Sequence, residues 1–351
     1  MNRIKIYSIL LFSFVLCMSC SGNTSKQDNG TKQQQAEIKA NEKVIIVYVT
    51  SWSQTIPDAN YMTHINYAFG HVKETFDGIR IDNEERLKQI VELKKDRPSL
   101  KILLSIGGWG SGRFSEMAAD PVNRKKFAGD CLRIIKAFDL DGIDIDWEYP
   151  TSSMAKISSS PDDTDHFTLL MKDIRESIGK DKLLTLASAS SAGYINFKAI
   201  NPFIDFVNIM AYDMASAPLH HSPLYASDKC GGNTSDDAVR KHHEAGVPLN
   251  KLVLGMPFYG RGGMGGIPDF IDYKDIEKLS GYIPKWDEKA QAPYLADSTG
   301  IFVCGYDTPR SLAVKCNYII EKGLLGAMYW DYDGDNETGD LRKAVYETII
   351  Y

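Results

Sequence analysis

Short runs of β-branched and aromatic residues alternate, from Lys43 onward, with stretches whose apolar positions recur at helical spacing. Strands are predicted at residues 44–49, 64–69, 101–106, 142–147, 183–189, 206–211, 252–257 and 325–330. Helices are predicted at residues 84–95, 123–138, 165–178, 236–245 and 310–322. Eight strands with intervening helices predict an α/β fold in which a parallel sheet closes into a (β/α)8 (TIM) barrel.

The longest gap between predicted strands, residues 260–303, separates the seventh strand from the eighth. We interpret this segment as a small insertion over the barrel mouth. A single domain at residues 43–351 is enough to account for the pattern, because single α/β barrels commonly reach this size. We expect this domain to be monomeric.

The first twenty residues differ in character from the rest of the chain. Arg3 and Lys5 precede an apolar stretch at residues 6–16, and the small residue Ser19 precedes Cys20. This pattern predicts a secretory signal peptide at residues 1–20, because the apolar stretch is shorter than the roughly 20 residues of a membrane span. Residues 21–42 are rich in Ser, Asn, Gln, Lys and Gly, which predicts a flexible tether.

The residues around Cys20, Leu16-Cys17-Met18-Ser19-Cys20, resemble a bacterial lipobox, in which the final cysteine is lipidated. The departure is Cys17, where the motif usually has Leu. We expect a lipid-anchored protein of the cell envelope, at the outer membrane or cell surface. The alternative is a plain secreted protein in which Cys20 has no role.

Charge and cysteine content exclude several classes of partner. The net charge of -6 comes with scattered Lys and Arg, so nucleic-acid binding is not expected. The spacing of the remaining cysteines does not fit a zinc site, and export permits a disulfide without indicating which pair. These cysteines are Cys131, Cys230, Cys304 and Cys316. We expect no metal and no cofactor.

An acidic ladder in the fourth predicted strand carries the most chemical information. Side chains alternate along a strand, so Asp144, Asp146 and Glu148 share one face, while Ile143 and Trp147 lie on the other. Closely spaced, buried carboxylates cannot all ionise cheaply, so they share a proton. Glu148 is the outermost acid and can deliver that proton to a substrate as a general acid.

Two other interpretations of this acidic ladder are less consistent with the residues. A calcium loop requires a glycine and a final glutamate at set positions, and neither residues 139–150 nor 331–340 have that arrangement. A solvated acidic loop conflicts with the apolar residues that alternate with the acids.

Active sites of such barrels lie at the C-terminal ends of the strands, which makes polar and aromatic residues there candidates for binding. Each aromatic residue there could bind a ligand with its flat ring, or could instead pack at the barrel rim. His220 and His221 follow the sixth predicted strand and are interpreted as surface residues. The candidates beyond the acidic ladder are Trp52, Trp109, Tyr149, Tyr212, Asp213, Arg261 and Trp330.

Together these motifs resemble glycoside hydrolase family 18, the chitinases. The family's fourth-strand pattern is similar to Asp141, Asp144, Asp146 and Glu148. Three further segments, residues 105–109, 210–213 and 326–330, resemble its third-, sixth- and eighth-strand motifs. The similarity therefore covers nearly all of residues 43–351.

The resemblance implies a retaining mechanism in which the N-acetyl group of the substrate is the nucleophile. Glu148 would protonate the leaving oxygen, Asp146 would hydrogen-bond the acetamido N–H, and Asp144 would modulate Asp146. Tyr212 would support the acetamido group, Asp213 would fix the distorted sugar, and Trp330 would stack beneath it.

The implied substrate is chitin or an oligosaccharide of N-acetylglucosamine. The insertion is too short for the full α+β domain that walls the cleft of some members, so we expect a shallower, more open groove. Two alternatives remain: an endo-β-N-acetylglucosaminidase acting on N-glycans, and a non-catalytic chitin-binding barrel. The second conflicts with the presence of Glu148, and the choice between endo and exo cleavage stays open.

Overall fold

The computed structural model describes residues 43–351. The predicted signal peptide, the tether and Cys20 lie outside the described residues. Eight strands pair in parallel and close into a barrel, since the first pairs with both the second and the last. They are β1 (Val44–Thr50), β2 (His64–Val72), β4 (Lys101–Gly107), β5 (Gly142–Asp146), β6 (Leu183–Ala189), β7 (Phe206–Met210), β8 (Leu252–Pro257) and β14 (Gly326–Trp330). The predicted barrel is confirmed.

A short strand, β3 (Ile79–Ile81), pairs antiparallel with the end of β2. Helices follow the strands in sequence and cover the barrel with their apolar faces, which creates one large core between helices and strands. They are α1 (Glu84–Glu92), α2 (Phe114–Ala119), α3 (Pro121–Phe138), α4 (Asp163–Ile178), α5 (Phe197–Ile200), α6 (Ser235–Glu244), α8 (Pro309–Lys322) and α9 (Asp340–Ile350).

Local sequence explains where the longer helices begin and end. The Asp120 side chain accepts hydrogen bonds from the backbone N–H groups of Val122 and Asn123, at 2.7 and 3.1 Å, and Pro121 occupies the first turn of α3. Gly323 ends α8 with a φ of 69°, a left-handed conformation that glycine adopts without steric cost.

The insertion between β8 and β14 forms a five-stranded antiparallel sheet around its own apolar cluster. It contains one short helix, α7 (Tyr273–Ile276), between its second and third strands. The sequence pattern had predicted neither this sheet nor its strands. They are β9 (Tyr259–Arg261), β10 (Phe270–Asp272), β11 (Ile283–Asp287), β12 (Ala292–Ala296) and β13 (Phe302–Gly305).

Two negative findings apply to residues 43–351. No helix there is both long enough and apolar enough to cross a membrane. The four cysteines of this part of the chain are unpaired, and Cys131, Cys304 and Cys316 are buried.

Gly142, at the start of β5, lies close against β6. A Cβ atom there would lie 2.2 Å from the carbonyl oxygen of Leu183, its partner in the β5–β6 register. We expect Gly142→Ala to lower the free energy of unfolding by about 1–3 kcal/mol, because the strands must separate to admit the methyl group. Chemical denaturation measures this change.

Gly129→Ala is the matched control, since a Cβ atom at this position in α3 meets no atom within 4 Å. It should stabilise the protein by about 0.4–1 kcal/mol, because alanine restricts the unfolded chain more than glycine does. Equal stability of the two variants would contradict the close approach of β5 and β6.

Candidate active site

A cavity of about 550 Å³ opens at the C-terminal ends of the barrel strands. The structure brings nearly all of the predicted site residues together in its wall. These are Trp52, Trp109, Asp146, Glu148, Tyr149, Tyr212, Asp213, Arg261 and Trp330. The remaining one, Asp144, lies deeper in the barrel and is fully buried.

Asp144 is surrounded by hydrogen-bond donors from four strands. One carboxylate oxygen accepts from the hydroxyls of Tyr48 and Ser105, both at 2.8 Å. The other accepts from the Thr185 hydroxyl at 2.6 Å and from the Asn208 side-chain amide at 3.2 Å. Burial raises the pKa of Asp144, while these donors favour its ionised form and oppose the rise.

Asp146 and Glu148 lie above Asp144 on the same face of the strand and its extension. Burial, together with the charges of Glu148 and Asp144, raises the pKa of Asp146 well above its usual range. Burial also raises the pKa of Glu148 to about 7. The two carboxyls titrate as a pair and hold a shared proton near neutral pH. Such a pair can act as a proton donor at the cavity surface.

The other face of β5 fixes the direction in which these acids point. Trp147 is 2% exposed and its ring stacks on Phe114, with centroids 5.3 Å apart and planes inclined by 13°. This packing beneath the helices leaves the alternate side chains facing into the barrel.

Gly107, at the end of β4, allows the neighbouring loop to approach the acidic strand. Its φ is 131°, and a Cβ atom there would lie 1.9 Å from the carbonyl oxygen of Asp146. The backbone N–H of Gly108 donates to that same carbonyl at 2.9 Å. The loop that carries Trp109 therefore rests directly on the backbone of Asp146.

Asp213 is held by two residues of the insertion. Arg261 donates to both of its carboxylate oxygens, at 2.7 and 2.6 Å, and the Tyr259 hydroxyl donates at 2.8 Å. Partial burial raises the pKa of Asp213, but the bonds from Arg261, together with the nearby His221 ring, outweigh it and hold the pKa well below its usual range. Asp213 is therefore a fixed negative charge beside Glu148.

His220 and His221 were predicted to be surface residues, and this prediction was wrong. They are only 2% and 1% exposed, because the insertion covers them. The His220 ring meets the edge of Phe302, with centroids 4.9 Å apart. Nδ1 of His221 lies 3.5 Å from a carboxylate oxygen of Asp213.

Aromatic rings form the floor and rim of the cavity. Trp330 stacks on Phe69, with ring centroids 5.7 Å apart and planes inclined by 19°. Trp52 and Trp109 are 63% and 61% exposed, which leaves their faces free for a ligand. Tyr149 stacks on Tyr194 with centroids 4.9 Å apart. Flat apolar surfaces of this kind suit the faces of sugar rings.

Several cavity residues were missed in the sequence. Tyr48 lies on β1, at an inward position. Phe69 lies within β2 but is the last residue of the strand predicted at 64–69, so the rule applied to other strand ends would have found it. The insertion also forms part of the cavity wall, through Tyr259 and Phe270. Both lie on strands of three residues, which are too short to show a period in the sequence. The missed residues are Tyr48, Phe69, Met154, Ala189, Ser190, Met210, Tyr259 and Phe270.

No group of three or more His, Cys, Asp or Glu side chains between residues 43 and 351 is arranged to hold a metal ion. The carboxyls of Asp146 and Glu148 can carry out acid–base chemistry in the cavity, beside its aromatic surfaces.

A (β/α)8 barrel with paired carboxyls and an aromatic cavity at the C-terminal ends of its strands has the site of a glycoside hydrolase. The chain belongs to the glycosyl hydrolases family 18, whose model matches residues 44–335. The family inferred from the sequence motifs is thus confirmed.

Relatives and solved structures agree with this assignment. The chain is 34% identical over 333 residues to Chitinase A1 of Niallia circulans, covering 81% of this chain and 48% of that protein. It thus spans about half the length of that relative. A family 18 N-acetylglucosaminidase from Paenibacillus barengoltzii superposes with a TM-score of 0.81 at 34% identity, covering 88% of this chain and all of that chain. A Group IV chitinase of Ostrinia furnacalis in complex with allosamidin superposes with a TM-score of 0.77 at 26% identity, covering 88% of this chain and 97% of that chain.

The fixed charge of Asp213 raises the pKa of Glu148, in addition to the larger effect of burial. We therefore expect Asp213→Asn to lower the pKa of Glu148 while leaving it above the usual glutamate value. Carboxyl ¹³C NMR titration measures this pKa. Asp269→Asn is the control, because Asp269 is an exposed partner of Arg261. An unchanged Glu148 pKa in Asp213→Asn would show that the two carboxyls do not interact.

Proposed function

We propose that this protein is a chitinase-like hydrolase that cleaves β-1,4-linked N-acetylglucosamine chains with retention of configuration. The observation that carries the proposal is the Glu148 carboxyl in the cavity wall, whose raised pKa of about 7 keeps about half of it protonated at neutral pH, where an ordinary glutamate is ionised. A protonated acid in this position can donate to the oxygen of the glycosidic bond as it breaks.

The nucleophile in this proposal is the acetamido carbonyl oxygen of the sugar itself, as in other substrate-assisted glycosidases. It attacks the anomeric carbon while Glu148 protonates the leaving oxygen. Asp146 accepts a hydrogen bond from the acetamido N–H, which steadies the positive charge that forms on the group. Water then attacks the anomeric carbon, and Glu148 takes back a proton.

The remaining residues bind and orient the sugar. Asp144, held by its four donors, tunes the proton shared by Asp146 and Glu148. Tyr212 supports the acetamido group, and Asp213, fixed by Arg261, holds the distorted ring. Trp330 stacks beneath that ring, and the other aromatic residues of the cavity take neighbouring sugars. These are Trp52, Trp109 and Tyr149.

A second candidate is release of single N-acetylglucosamine units or cleavage within N-glycans. The release of single units is supported by the similarity to a family 18 N-acetylglucosaminidase, which extends over the full length of that chain. Products from chitohexaose and from a high-mannose glycopeptide distinguish the candidates. Dimers and trimers support the chitinase, monomers alone support exo cleavage, and glycopeptide trimming supports the N-glycan enzyme.

Glu148→Gln retains the shape of the acid but removes its proton. We expect kcat on chito-oligosaccharides to fall by about 10²- to 10⁴-fold, while binding persists on the aromatic surfaces. Initial rates and tryptophan fluorescence titration with chitotetraose measure the two properties.

For the wild type, kcat/KM should decline as pH rises above about 7, because the free enzyme then loses the proton of Glu148.

The control for this test is Glu116→Gln, since Glu116 is an exposed residue that bonds Ser158. Near-normal activity of Glu148→Gln would refute the assignment of the acid. Fully deacetylated chitosan carries no internal nucleophile, so its hydrolysis at a rate similar to that of chitin oligomers would refute the substrate-assisted mechanism.

We also propose that Cys20 carries a lipid that anchors the mature protein to the cell envelope. Support comes from the sequence alone: an export segment precedes Cys20, and a polar stretch follows it. Cys20→Ala should move the protein from the membrane fraction to the soluble fraction, as measured by immunoblotting of fractionated cells. Cys17→Ala is the control and should remain membrane-bound. A soluble wild-type protein would refute anchoring.

A further inference from the structure

The segment that carries Tyr212 and Asp213 follows β7 and lies outside the barrel sheet. It is held at both ends by two neighbouring residues of the same loop. The carbonyl oxygen of Ala211 accepts a hydrogen bond from the Ser222 hydroxyl at 2.7 Å. The backbone N–H of Met214 donates to the carbonyl oxygen of His221 at 3.0 Å. The position of Tyr212 and Asp213 therefore depends on how the His221–Ser222 segment is held.

Ser222 is in turn held by a buried ion pair. Lys315, in α8, donates to the Ser222 hydroxyl oxygen at 2.8 Å and to Asp307 at 2.6 Å. The Ser311 hydroxyl donates to the other oxygen of Asp307 at 2.6 Å. The side chains of Lys315 and Asp307 are 0% and 1% exposed. Each of these four polar side chains thus has a hydrogen-bond partner within the protein.

This arrangement is not explained by stability. Lysine is rarely fully buried, and the cost of removing an ion pair from water often cancels its attraction, so apolar residues of similar volume stabilise equally well. The neighbouring positions on the same face of α8, Leu312, Cys316 and Ile319, are indeed apolar and fully buried. What an apolar residue cannot supply at position 315 is a hydrogen bond to Ser222.

The direction of the hydrogen bonds between Lys315, Ser222 and Ala211 shows how the lysine acts on the backbone. Lys315 donates to Ser222, and Ser222 donates its single proton to Ala211, so a positive charge stands behind the hydroxyl that holds the carbonyl. Hydrogen bonds in such a chain polarise and strengthen one another in a buried environment. The Ala211 carbonyl immediately precedes Tyr212.

We propose that Lys315, together with Asp307 and Ser222, is a positioning residue that holds Tyr212 and Asp213 in the geometry needed for catalysis. The inference rests on the proposed function, in which those two residues contact the reacting sugar. None of the three positioning residues lies in the cavity wall. They act through the backbone at Ala211.

Ser222→Ala removes one oxygen and leaves the Lys315–Asp307 pair in place. We expect kcat on chitotetraose to fall by about 10- to 100-fold, because a displacement near 1 Å in an active site can cost about this much. KM should change by less than about twofold, since Trp330 and Trp52 still bind the sugars. Ser222→Thr restores the hydroxyl and should recover most of kcat.

Two further variants separate positioning from stability. Lys315→Met combined with Asp307→Leu removes both charges at once and leaves the Ser222–Ala211 bond, so kcat should fall less than in Ser222→Ala. Ser188→Ala is the matched control, because the Ser188 hydroxyl is equally buried but bonds His242 of α6. Rates are compared below the lowest melting temperature of the set, and Ser188→Ala should keep wild-type kcat.

A measurement that does not require turnover tests the same idea. 3-Fluorotyrosine at position 212 gives a ¹⁹F resonance that should shift or broaden in Ser222→Ala and remain unchanged in Ser188→Ala. A wild-type protein that cleaves no N-acetylglucosamine oligomer refutes the proposed function, and the ¹⁹F comparison then still tests the positioning role. That role is overturned if Ser222→Ala lowers the melting temperature but leaves both kcat and the ¹⁹F resonance unchanged.

Discussion

The structure depends on keeping three carboxyls inside a barrel whose interior is largely closed to water. A buried charge is costly unless it is hydrogen-bonded or neutralised, and the protein uses both means. Asp144 receives four donors, one from each of four strands. One carboxylate oxygen of Asp146 is buried without a hydrogen-bond partner, and burial raises the pKa of both Asp146 and Glu148, so this pair keeps a proton. Because these neighbouring acids differ in their surroundings, the proton is held at the outer end of the ladder, by Asp146 and Glu148.

Much of this arrangement follows from periodicity, which is a local property. Alternation along β5 and its extension places the acids inward and Trp147 outward from the sequence alone, and runs of β-branched and aromatic residues locate the eight strands. The rule that sites lie at strand ends also identifies Trp52, Trp109 and Trp330 as cavity residues, because barrel geometry brings the ends of all the strands to one rim. These inferences need no knowledge of distant contacts.

Distant contacts explain what the sequence did not predict. His220 and His221 are polar residues in a loop, and only the packing of the insertion over that loop buries them. Tyr259 and Phe270 reach the cavity from strands of three residues, too short to show a period. The buried position of Lys315 is equally hidden, because its partner Asp307 gives no sign of pairing in the sequence. The burial of such residues is determined by how elements pack against one another, which the periodicity of a single element does not show.

Closure of the barrel has a consequence for the growing chain. The first strand described, β1, supplies Tyr48 and pairs with the last, β14, which supplies Trp330, and their rings lie 5.6 Å apart. Contacts between residues so far apart in sequence form late, because closing a long loop is entropically costly. A polypeptide that is still emerging from the ribosome therefore lacks the complete aromatic floor on which a sugar would stack. Any ability to capture substrate should arise abruptly, after the C-terminal strand has been released.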